Sequence, residues 1–172
     1  MDNTMSHNAL LGTRTADNLM NAFRHESEAA MRSGVYSAQA AYERDMSTRR
    51  MLDEMSDNGT GCSELWLGYL DGLDTTAENL KNLSKIKREI NGILYEDMAE
   101  IADDEGFHEI AEKFRMAKAV SNNHAKLLDD RAKSLEKDRT WETDTEFRCP
   151  VCGYVVTGNT VPESCPLCTA SF

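Results

Sequence analysis

The sequence predicts a mainly α protein: an up-and-down four-helix bundle followed by a small metal-binding module at the C terminus. Three observations predict it. Residues 15–138 contain no proline and are rich in Ala, Leu, Met, Glu, Lys and Arg, residue types that cost little in a helix. Apolar and small residues in that stretch recur at spacings of three and four, the period of one helix face. All three prolines and four of the five cysteines fall after residue 146. Aromatic content of 7% argues against an all-β alternative.

The first helix begins at the cap signal Thr13-Arg14-Thr15. Its face carries Leu19, Phe23, Ala30, Ser33, Ser37 and Ala40, with Glu26 in the same register. The second runs from about Met46 to Leu70, with Leu52, Met55, Cys62, Trp66 and Tyr69 on one side. In its middle, Ser56-Asp57-Asn58-Gly59-Thr60-Gly61 is turn chemistry. Each glycine there costs about 1 kcal/mol relative to alanine, so a kink, break or loosened turn is expected near Gly59. The third helix starts after Asp74-Thr75-Thr76, carries Leu80, Leu83, Ile90, Leu94, Met98 and Ile101, and stops at Glu105-Gly106. The fourth carries Phe107, Ile110, Phe114, Ala117, His124, Leu128 and Leu135. Each helix would be roughly 40 Å long at 1.5 Å per residue, and short connections would make neighbours antiparallel. The expected division is an N-terminal extension at 1–14, the bundle at 15–138, a linker at 139–146 and the module at 147–172.

A formal net charge of −11 disfavours nucleic acid, whose phosphates are held by clustered cations, and equally an anionic lipid surface. The longest strongly apolar patch, Leu65 to Leu70, is far short of the ~20 residues of a membrane span. Met1 to Leu11 lacks the pattern of a signal peptide. No membrane and no nucleic-acid partner is expected. A cytoplasmic protein would keep its cysteines reduced, so they are not read as disulfides.

Cys149-Pro-Val-Cys152-Gly-Tyr and Cys165-Pro-Leu-Cys168 are separated by 12 residues. Two such turns place four thiolates around one ion in a tetrahedron. Gly153 allows a tight turn after the second sulfur. So short a segment cannot bury a core of its own, and a metal must stabilise it. Spacing alone leaves zinc and iron both open.

Gly12-Thr-Arg-Thr-Ala-Asp-Asn-Leu-Met-Asn-Ala-Phe23 with Glu26-Ser27, Asp104-Glu-Gly-Phe-His-Glu-Ile-Ala-Glu-Lys-Phe114, and the two cysteine turns resemble the rubrerythrin family in three segments in the right order. The resemblance implies a ferritin-like four-helix bundle with a di-iron site, joined to a rubredoxin-like domain holding Fe(Cys)4. It tips the tail metal from zinc toward iron. It further implies peroxide reduction, with electrons passing from the tail iron to the di-iron pair, often across a head-to-tail homodimer. A second copy and an electron-donor redox protein are the partners it suggests.

The bundle departs from that pattern. A di-iron site takes carboxylates from two helices and Glu-x-x-His from each of the other two. In register with the family, only Glu26 and His124 remain as ligands. Gly59 and Cys62 stand in the second-helix motif, Lys87 and Ile90 at the third-helix glutamates, and Ser121 beside His124. The literal Glu105-x-x-His108 straddles a glycine turn and cannot present both groups inward. A di-iron centre is therefore not expected. Lys87 is expected to pair with Glu26, Cys62 to pack as a small buried residue rather than serve as a reactive or metal-binding thiol, and His124 to bond Glu26 or Ser121. Tyr95 is expected to pack, and His25 and His108 to lie on the surface. The first functional expectation is electron transfer through the tail iron. The alternatives are a rubrerythrin-type peroxide reductase with an unorthodox bundle site, or a non-enzymatic binding protein with structural zinc.

Overall fold

The computed structural model describes residues 10–70, 72–137, 147–156 and 161–171. The expected linker, and most of the expected N-terminal extension, lie outside the described residues. The chain resolves into two compact units, Met1–Asp74 and Thr75–Phe172.

The first unit is a helical hairpin of α1 (Arg14–Tyr42) and α2 (Met46–Tyr69). Thr13 caps α1 as expected, its hydroxyl accepting from the Ala16 amide at 3.2 Å. Asp45 does the same for α2, accepting from the Thr48 amide at 3.1 Å. The connection is short because Arg44 adopts φ 63°.

The break expected at Gly59 does not occur: α2 is continuous from Met46 to Tyr69. Gly59 is buried and faces α1, where a Cβ would stand 3.0 Å from that of Ala30. The glycine is there for helix approach, not for a turn. The neighbouring hydroxyls, which read as turn formers, bond to helix carbonyls instead. Ser56 donates to Ala30 O at 2.9 Å, Thr60 to Ser56 O at 2.9 Å and Ser63 to Gly59 O at 2.8 Å. Ser27 on α1 donates across to the Ser63 hydroxyl at 3.1 Å.

The second unit begins with α3 (Thr76–Lys85), capped by Thr75, which accepts from the Glu78 amide at 3.3 Å. A π-helical turn at Ile86–Ile90 joins it to α4 (Asn91–Asp104). Gly106 at φ 86° then reverses the chain into α5 (His108–Glu136), where the third helix was expected to stop. The π turn was not expected.

Buried positions in this unit are again small. Ala99, Ala102 and Ala111 form a cluster against Phe114, and Ser84 donates to Ala125 O at 3.1 Å on α5. The long apolar side chains assigned to the inner register are more exposed than expected: Ile101 is 58% exposed, and Leu83, Leu94 and Ile110 are also exposed, as is Met55 on α2. The helix pairs close through small residues at backbone distance, which leaves long side chains outside the contact. Tyr95 packs as expected, its ring tilted against Phe114 with centroids 6.2 Å apart. The unit ends in β1 (Phe147–Arg148) paired antiparallel with β2 (Val155–Val156). No helix among the described residues is long and apolar enough to cross a membrane.

Substituting Gly59→Leu should unfold the hairpin at lower urea, at a cost of about 1–3 kcal/mol for overpacking. A helix-propensity effect alone would move the midpoint the other way, because leucine is the better helix former.

Candidate metal centre

Two local turns build the centre. In the first, the Cys149 amide donates to Tyr154 O at 2.9 Å and the Gly153 amide returns to Cys149 O at 2.9 Å. In the second, the Cys165 amide donates to Ala170 O at 2.8 Å and the Thr169 amide to Cys165 O at 2.9 Å. The two turns have the same hydrogen-bond plan. Each puts the residue after its second cysteine in the left-handed region, Gly153 at φ 76° and Thr169 at φ 61°. Glycine takes that conformation freely, whereas threonine is strained by about 1–2 kcal/mol. The β1–β2 pairing closes the first turn, and a Ser164–Ser171 bridge closes the second.

The four sulfurs of Cys149, Cys152, Cys165 and Cys168 converge within 4.8 Å of one another. Cys149 and Cys168 Sγ are 3.6 Å apart, and Cys152 and Cys165 Sγ 3.5 Å. Metal–sulfur bonds of about 2.3 Å in a tetrahedron need edges of about 3.8 Å, so the cage fits one ion. Cys149 and Cys165 are buried, and Cys152 and Cys168 half-buried. The backbone amides of Cys152 and Val151 bring the Cys149 thiol down to about 6. Burial, and then the neighbouring sulfurs, push Cys152 up to about 12.

The remaining expected positions divide between the units. In the first unit Glu26 is half-buried and Gly59 buried. Cys62 is exposed, so its expected role as a small buried residue is corrected. In the second unit Ser121 is buried, and Lys87, on the π turn, and His124 are half-buried. The proposed Lys87–Glu26 pair joins residues of different units and stays an expectation. His25 and His108 are exposed, His108 with Nδ1 2.9 Å from Asp103 Oδ1.

His124 has a neighbour that spacing did not reveal. Its ring lies against Gly153, so closely that a Cβ there would stand 2.9 Å from Cε1. Burial, followed by the charges of Lys87 and Arg148, holds its pKa below the usual histidine value. Nor did the sequence point to Lys113, whose ammonium donates to Pro166 O between the two cysteines of the second turn.

Two substitutions test the cage. Cys165→Ser should abolish tight binding of one ion by size-exclusion-purified protein, read by elemental analysis. Thr169→Gly should relieve strain and slow metal release to a chelator several-fold, since about 1 kcal/mol is a factor of about five.

Residues 147–171 match the family model described as "Rubrerythrin, rubredoxin-like domain". The chain is 33% identical to Rubrerythrin-1 of Clostridium acetobutylicum over 93% of its own length and 92% of that protein's. It is 28% identical to the rubrerythrin of Nitratidesulfovibrio vulgaris over 93% and 92% of the two chains. With the rubrerythrin of Porphyromonas gingivalis it shares 27% identity over 96% and 90%. With helical pairs, a cage of four cysteine sulfurs and relatives aligned over nearly the whole chain, this protein belongs to the rubrerythrin family.

Proposed function

We propose that the chain is an electron-transfer protein working through one iron ion held by Cys149, Cys152, Cys165 and Cys168, and that it no longer builds a di-iron pair. The observation that carries the reading is a closed donor set: four convergent sulfurs leave no open coordination position for a substrate such as peroxide. Iron in such a cage supplies a one-electron couple, tuned by hydrogen bonds to the sulfurs and by burial. The chain provides both. The amides of Val151 and Cys152 point at the Cys149 sulfur, and Cys149 and Cys165 are buried.

The other half of the reading rests on donor chemistry. Paired iron needs several anionic oxygens and imidazoles at once. Gly59 offers no side chain, Ser121 and Cys62 replace carboxylate and imidazole, and Lys87 brings a positive charge. Glu26 and His124 remain, and their retention favours, as the second reading, a peroxide reductase with an unorthodox bundle metal. The partners we propose are an electron-donor redox protein and a second copy of the chain. Exposed Val35 and Tyr42 on the first unit and Ile93 and Ile101 on the second supply apolar surface for such association. A cytoplasmic location accords with reduced cysteines.

Anaerobically purified protein should contain one iron per chain, be red, bleach with dithionite and turn over peroxide no faster than Cys165→Ser. Two or three iron ions per chain with peroxide turnover would establish the second reading. A colourless protein with one zinc would establish a structural module.

A further inference from the structure

We infer that His124 is a positioning residue for the tail's metal centre: with Lys113 it forms a two-point dock on α5, one point for each cysteine turn. The redox consequence rests on the electron-transfer reading above; the dock itself does not.

Lys113 and His124 are eleven residues apart on α5, which is three helical turns and so one face. Lys113 reaches the second turn at the carbonyl of Pro166. The His124 ring fills the space that a side chain at position 153, in the first turn, would need. The two turns share a hydrogen-bond plan, yet the second accepts threonine at the position where the first has glycine. Position 153 carries a second constraint besides its left-handed backbone: a Cβ there would press on the His124 ring and displace it. A side chain aligned with a bundle-metal ligand is thus committed to the cysteine cage.

The dock also sets the charge around the cage. Lys113 bonds the second turn, while Lys87 and Arg148 act on the ring that covers the first. An iron with four thiolates carries one net negative charge when ferric and two when ferrous. Nearby cations therefore favour the ferrous form.

The test uses the full chain reconstituted with iron or with zinc. Ring protons of His124, identified by their absence in His124→Gln, should be broadened in the ferric protein and sharp in the zinc protein. An unbroadened ring in the ferric protein overturns the dock. Lys113→Met should lower the midpoint potential, with at least about a threefold fall in the ferrous-to-ferric ratio at fixed poise. An unchanged potential in both Lys113→Met and His124→Ala overturns the positioning role. Gly153→Ala should speed iron release to a chelator more in the native background than in His124→Ala, where the collision is absent; equal acceleration in both backgrounds counts against the contact. If the purified protein carries zinc, the electron-transfer reading fails, while the ring test on reconstituted protein still decides the dock.

Discussion

Four thiolates within 4.8 Å of one another repel unless a cation sits among them. That constraint organises the C-terminal end of the chain. The segment is too short to bury a core, so its backbone is folded around sulfur rather than around apolar side chains. Each pair of cysteines is presented by one tight turn with an inward amide and a left-handed residue at its end. The strain at Thr169 persists because the cage over-determines the backbone there.

The helices obey a different rule. Both units close through Ala, Ser and Gly rather than through Leu or Ile. Small residues allow backbones to approach, and serine hydroxyls then reach carbonyls on the neighbouring helix, as Ser56 does with Ala30 and Ser84 with Ala125. Such contacts depend on shape. A Cβ at Gly59 would already stand 3.0 Å from that of Ala30, so a larger residue there has to push the two helices apart. Ion pairs run along the same helices, Arg115 with Asp103 and Lys118 with Glu96. Their exposure to solvent makes them minor contributors beside the packing.

The two constraints meet on α5. Its buried side is built of Ala111, Val120, Ser121, Ala125 and Ala132, and it also carries Lys113 and His124 toward the cysteine turns. The charges of Lys87 and Arg148 bear on the same His124 ring.

Features set by nearest neighbours along the chain were readable from the residues. Thr13 and Thr75 cap helices, Gly106 ends one, and each Cys-x-x-Cys pair forms its own tight turn, because each is decided within four or five residues by hydrogen bonding and by what φ a side chain permits. Features set by what lies across space were not. Gly59 and its hydroxyl neighbours have the local preferences of a turn, and only the presence of Ala30 opposite turns them into a helix contact. The ring of His124 meets Gly153, 29 positions later, through a docking that no spacing encodes. Local chemistry is written into adjacent residues, whereas packing depends on which surfaces the folded chain brings together, and that information exists only once it has folded.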